Sequence, residues 1–209
     1  MLGSSVRTIN YQNINVVAPC TTYEREGNIL NRLLVEHDHI LRTLNLLEMQ
    51  FLDLCRGKTP DFSLMRSIIV YIQEYPEQVH HPLEDMIFSI LLERIDEIKF
   101  IEELITEHTQ LEVIARKLRE SLEALNSSIV SREDLKQQLS NFLVGQRQHI
   151  YIEEVEVYPL VHSVLTKKDW KQLNSMIPLL DDPSFGRRTQ NDYECLYREI
   201  KDKSKLEII

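Results

Sequence analysis

Residues 28–56, NILNRLLVEHDHILRTLNLLEMQFLDLCR, decide the fold class. Ile29, Leu30, Leu33, Leu34, Ile40, Leu41, Leu44, Leu47 and Phe51 recur at steps of three and four, the spacing that keeps side chains on one stripe of an α-helix. Gly57 follows as a C-terminal stop. His37 stands four residues after Leu33 and four before Leu41, so it lies in the apolar stripe and points inward. His39, about 200° further round at 100° per residue, points outward.

Three more stretches repeat the pattern. The second starts at Ser63 with Leu64, Met65, Ile68, Ile69 and Ile72 and resumes through Val79, Leu83, Met86, Ile87, Ile90 and Leu91. Pro76 and Pro82 should kink or break it locally. The third, about 97 to 126, carries Phe100, Ile101, Leu104, Ile105, Leu111, Ala115, Leu118 and Leu122 on one stripe. The fourth opens at the capping signature Ser131-Arg-Glu-Asp134 and runs to about Leu165. Thr166-Lys-Lys-Asp169 starts a shorter helix through Trp170, Leu173 and Ile177; DDPSFG (181–186) reads as a turn, and a last helix is expected over about 190–201. The prediction is an all-α, antiparallel four-helix bundle over 28–165, with a short C-terminal helical extension (166–209) and an irregular arm (1–27) containing Pro19 and Gly27.

Composition narrows the function. The chain has 209 residues, enough for one sizeable domain, with 43% hydrophobic and 27% charged residues and only 5 Gly and 7 Pro. A net charge of −9 disfavours nucleic-acid and anionic-membrane partners, because both repel an acidic surface. Cys20, Cys55 and Cys195 are scattered, with no CxxC pair to suggest a disulfide framework or a thiolate metal site; Cys20, in the arm, is the one expected to react. No secretory signal or membrane-length apolar run is present, so a cytoplasmic location is expected. GxGxxG, P-loop and GxSxG motifs are absent, which removes positive evidence for nucleotide binding or serine-hydrolase chemistry.

The chemistry lies in the histidines. His108 falls between Leu104 and Leu111 in the middle of the third stripe, so it points in like His37. The second helix carries His80-His81-Pro82-Leu83-Glu84-Asp85 and the fourth His149-Ile-Tyr-Ile-Glu153, each containing HxxxE. That spacing puts an imidazole and a carboxylate one turn apart on one face. A buried glutamate costs several kcal/mol unless a cation compensates it, and nitrogen and oxygen donors suit iron, manganese or zinc. Two carboxylates able to bridge fit a dinuclear centre. A single inward histidine or a single HxxxE would mean little; one inward histidine on each of two helices and HxxxE on each of the others is a set. Spacing alone leaves His81 and Asp85 as a rival pair to His80 and Glu84, and Glu154 as an alternative to Glu153. His162 reads as a helix-end cation, Trp170 as a packing anchor, and Tyr75, Tyr151 and Tyr158 fall off the ligand face by helical angle, so no phenolate ligand is expected.

The order H, HxxxE, H, HxxxE over four helices resembles the bacterial hemerythrin-like, or HHE cation-binding, family. EHDHI and TEHTQL look like its two EH helices, HHPLEDMIF like its HHPKED helix, and HIYIEEVEVYPL like its last ligand helix. LTKKDW with DDPSFG is similar to a C-terminal extension in a proteobacterial branch. The resemblance implies the metal ligands His37, His80, Glu84, His108, His149 and Glu153, two irons per chain, Glu84 and Glu153 as bridges, and O2, NO or peroxide as the ligand. It selects His80 over His81. Two departures stand out: Leu83 replaces a lysine, and Glu112 occupies the place where oxygen-carrying invertebrate hemerythrins have a second histidine, so no three-histidine set is expected. The functions it implies are small-ligand binding, sensing or stress response, or a diiron redox enzyme acting as a peroxidase, in NO detoxification or in iron-sulfur repair. A metal-free helical interaction protein would have to explain six convergent ligand-type side chains.

Overall fold

A computed structural model describes residues 28–96, 98–124, 130–180 and 195–202. The helices are α1 (Asn28–Cys55), α2 (Phe62–Tyr75), α3 (His81–Leu92), α4 (Ile98–Glu123), α5 (Arg132–Ile152), α6 (Tyr158–Val164) and α7 (Lys167–Leu180). Residues 195–202 are helical again, and no strand occurs among the described residues. The arm 1–27, the expected turn at 181–186 and the start of the last helix lie outside the described residues. No described helix is long and apolar enough to cross a membrane.

The expected stops and starts have local causes. Gly57 takes φ +79°, a left-handed conformation open to glycine, and its N–H bonds to Leu54 O at 3.2 Å to close α1. Asp61 caps α2 by accepting from the N–H groups of Ser63 and Leu64. The Ser131 hydroxyl accepts from Asp134 N–H at 3.0 Å to open α5. Thr166 and Asp169 form a reciprocal cap at the start of α7.

The second and fourth stretches depart from regular helix in the same way. A π turn, Pro76–His80, joins α2 to α3, and another, Glu153–Val157, joins α5 to α6. Each closes by a five-residue bond, His81 N–H to Pro76 O and Tyr158 N–H to Glu153 O. Each is followed by a proline, Pro82 or Pro159, which lacks an N–H and crowds the carbonyl four residues back. The turn widens where the regular bond cannot form.

α1 packs against α2 and α5, and α4 packs against the same two helices; α3 lies against α4, α6 and α7. Two apolar clusters result. One joins Ile40, Leu44 and Leu47 to Ile68, Val79, Leu118, Leu139, Phe142 and Ile150; the other joins Leu30 and Leu33 to Leu83, Ile87, Phe88, Leu104, Val157 and Val161. Trp170 and Leu173 of α7 belong to the second cluster, and Arg94 clamps α7 through Asp169 at 2.6 Å. Trp170 is thus the expected packing anchor. In α1 the clusters meet between Leu33 and Ile40, and in the second stretch between Val79 and Leu83, which is where His37 and His80 sit. A polar layer divides the core.

Phe142 is fully buried in the first cluster, away from that layer. Phe142→Ala should therefore destabilise the protein by about 3–5 kcal/mol in chemical denaturation while leaving metal content unchanged.

Candidate metal centre

The structure brings His37 (α1), His80 and Glu84 (second stretch), His108 (α4), and His149 and Glu153 (fourth stretch) together in that layer, all buried and three of them fully so. His37 Nε2 and His80 Nε2 are 2.8 Å apart. Glu84 Oε1 lies 3.4 Å from His80 Nε2 and 3.9 Å from His37 Nε2, while its Oε2 lies 3.6 Å from His108 Nε2. Glu153 Oε2 lies 3.3 Å from His37 Nε2, and its Oε1 lies 3.3 Å from His108 Nε2 and 3.1 Å from His149 Nε2. Each carboxylate thus reaches three imidazoles, with one oxygen toward His37 and the other toward His108.

The outer nitrogens are fixed as well. His80 Nδ1 donates to Glu36 at 2.8 Å, His108 Nδ1 to Asp85 at 3.0 Å, His149 Nδ1 to Glu107 at 3.2 Å and His37 Nδ1 to Glu154 at 3.1 Å. Every acid belongs to a different stretch from the histidine it holds, and the four links close a ring around the bundle. The arrangement turns each Nε2 inward, as the carboxylate partners of metal-bound histidines do.

Glu84 Oε2, Glu153 Oε2 and His149 Nε2 are buried and make no hydrogen bond, although ligand-type atoms stand within 4 Å. Buried polar atoms without partners are rare and costly, and here they converge on one point. Nitrogen and oxygen donors with no thiolate fit a hard or borderline cation such as iron. His37, His80, Glu84 and Glu153 form one group able to hold an ion, and His81, His108 and His149 form another. The hemerythrin HHE cation-binding domain model matches residues 28–163. The chain belongs to that family. No match occurs among curated proteins.

Within this hemerythrin-like centre the helical wheel misplaces Tyr158 and leaves His81 and Glu154 undecided. His81, which spacing leaves as a rival to His80, lies beside His108 with parallel rings 4.0 Å apart. A third imidazole therefore does accompany His108 and His149, supplied by position 81 rather than by position 112. Tyr158, expected off the ligand face, is fully buried; its hydroxyl donates to Glu84 Oε1 at 2.5 Å and lies 3.3 Å from His37 Nε2. Glu154, the alternative to Glu153, is buried and orients His37. All three lie in a π turn or at the residue that closes one, where residues five apart, such as Glu153 and Tyr158, come into line although a regular helix would place them about 140° apart. Asp85, the suggested partner of His81, instead holds His108.

The other candidates fall as expected. His39 stacks on Tyr197 outside the centre with ring centroids 4.4 Å apart, and His162 and Tyr151 are exposed. Tyr75 is buried in the core, bonded to Glu36 rather than to the inner ring. Cys55 and Cys195 are exposed thiols; Cys20 lies outside the described residues.

Without metal, protons supply the positive charge. Burial opposes charge on His37, yet the Glu153 carboxylate 3.3 Å away and Glu154, hydrogen-bonded to it, outweigh burial and hold its pKa at about 9. Burial is likewise overcome at His108 by Asp85 and Glu153, giving about 9, and at His149 by Glu153 and Glu107, giving about 10. Burial and the charge of Glu153 raise Glu84. Glu153 stays well below its ordinary value, because the surrounding imidazoles outweigh its burial. Glu36 is drawn down to about 2 by His80 and Arg32 despite burial.

Two predictions follow from this charge balance. Raised histidine pKa values stabilise the folded state fully below about pH 6.5, their unfolded value, and that stabilisation is lost as pH climbs through 9 to 10. The thermal midpoint of metal-free protein should fall between pH 7 and 10, and that of metal-loaded protein should fall less, because the cation replaces the protons. Glu107→Gln, which keeps the shape but removes the charge orienting His149, should weaken metal affinity roughly 10- to 100-fold in a competitive chelator titration without changing stoichiometry.

Proposed function

We propose that the chain binds two iron ions, one between His37 and His80 and one between His108 and His149, bridged by Glu84 and Glu153. A small molecule, O2, NO or peroxide, would coordinate there for binding, sensing or stress response. The observation that carries this reading is the placement of the two carboxylates: each offers one oxygen to the His37 side and the other to the His108 side. A mononuclear site would not need a second fully buried carboxylate with that reach.

Iron would supply the redox couple and coordination positions for the small ligand. The chain's own contribution is structural and electrostatic. Four outer carboxylates fix the imidazole orientations, the apolar clusters enclose the His37 side, and the paired inner carboxylates would neutralise the cations in a medium of low polarity. Tyr158 favours a redox-enzyme form of the same reading. Its proton, held between Glu84 and the neighbourhood of His37, is a donor already placed inside the centre.

Anaerobic loading with ferrous iron followed by metal analysis should give about two irons per chain. His80→Ala, Glu84→Ala, His149→Ala and Glu153→Ala should each lower that number and abolish the visible absorption that develops with O2, NO or H2O2, whereas Glu112→Ala should leave both near the wild-type level. Iron-free wild-type protein after loading would overturn the assignment.

A further inference from the structure

His81 is unlike the other four imidazoles of the centre. Among the described residues it makes ring contacts, flat on His108 at 4.0 Å and edge-on to His149 at 5.9 Å, but no acid holds either of its nitrogens. It also borders open space. A cavity of about 150 Å³ is walled by Gln73, Glu77, Asp85, Glu112, His81 and His108 among others. His37, His80 and His149 are not on that wall, so His81 and His108 are the imidazoles a small molecule meets from that side.

Its donor atom nevertheless lies within 4.8 Å of those of His108 and His149. Pro82 and the preceding π turn place it there, at the residue that closes the wide turn. An imidazole bound to a metal without a carboxylate on its second nitrogen is a weaker base and is less firmly oriented than its neighbours. Of the five imidazoles here, His81 is therefore the one that leaves first.

Resting on the metal-loaded reading above, we propose that His81 is a displaceable ligand of the ion held by His108 and His149, covering the coordination position that a small molecule entering by this cavity takes. The six residues His37, His80, Glu84, His108, His149 and Glu153 hold the metals; His81 sets how readily one of them is reached.

Cobalt(II) reports this directly, because its visible d–d absorption depends on ligand number. Wild-type protein and His81→Ala, loaded with Co2+ in place of iron, should bind equal amounts of cobalt. The variant should show a shifted, stronger d–d band, as expected for one ligand fewer, and free imidazole at millimolar concentration should return the band to its wild-type position by entering the vacated space. An unchanged band in His81→Ala would show that His81 is not a ligand. Loss of cobalt from the variant would show that it is an obligatory ligand rather than a displaceable one. A shifted band that imidazole does not reverse would assign the change to repacking of His108. Each of these three results overturns the proposal while leaving the six-residue centre standing, whereas wild-type protein that takes up no cobalt overturns the centre itself. His81→Asn, which keeps a polar side chain of smaller bulk, should show the same shift and provides the measurement should the alanine variant not fold.

Discussion

Two carboxylates with no exposure to solvent, Glu84 and Glu153, sit side by side in the middle of an apolar bundle, and the rest of the structure is arranged around that fact. Charge so placed is tolerated when opposite charge and hydrogen bonds surround it. Here the surrounding groups are imidazoles that take a proton or a cation. The same burial that makes the pair costly without a partner makes it a strong seat for a multivalent ion. The two glutamates do not titrate alike: Glu153 lies among three imidazoles and stays ionised, while burial and the charge of Glu153 push Glu84 toward its neutral form.

The outer acids turn this local requirement into a constraint on assembly. Glu36 of α1 holds His80, Asp85 of α3 holds His108, Glu107 of α4 holds His149, and Glu154 holds His37 back on α1. Every link crosses between neighbouring stretches of chain, so no histidine is oriented by its own helix. The apolar clusters on either side supply most of the packing, but neither fixes the rotation of a helix as tightly as a hydrogen bond at about 3 Å does. The ring acts as a register device between two layers that would tolerate slippage.

Much of this was legible in the sequence. His37 and His108 stand in apolar stripes, because α1 and α4 are regular helices to which a 100° step applies, and the four-residue spacing of the two HxxxE pairs marks Glu84 and Glu153 on the other two stretches. The EH dipeptides were visible too, but their division of labour was not: Glu36 and Glu107 serve histidines on neighbouring stretches, and sequence spacing says nothing about partners across a bundle. The unresolved positions cluster at the π turns. A regular helical step across a segment where the step is wider turns Tyr158 the wrong way and leaves the choices between His80 and His81 and between Glu153 and Glu154 open. The signal that could have found them is the proline following each wide turn, Pro82 after His81 and Pro159 after Tyr158. A proline there removes the N–H that the fourth residue back would use, so a bulge on the ligand side is a natural response.

These irregular turns also explain how four helices can offer more than four inward donors. A regular helix presents its donors at three- and four-residue steps, which suffices for HxxxE but separates adjacent residues by about 100°. Widening the turn lets His80 and His81, and likewise Glu153 and Tyr158, face the same layer. The cost is confined to a single turn on each of two helices, while α1 and α4 remain regular and carry one inner histidine apiece. Irregularity thus lies on the two stretches that supply both a histidine and a glutamate. The asymmetry of the centre has the same origin: the first wide turn adds an imidazole on the His108 side, next to the cavity, and the second adds a phenol on the His37 side, sealed in the core. Two metal positions built from matching HxxxE pairs are in this way given unlike surroundings, one facing an opening and one facing a buried proton donor.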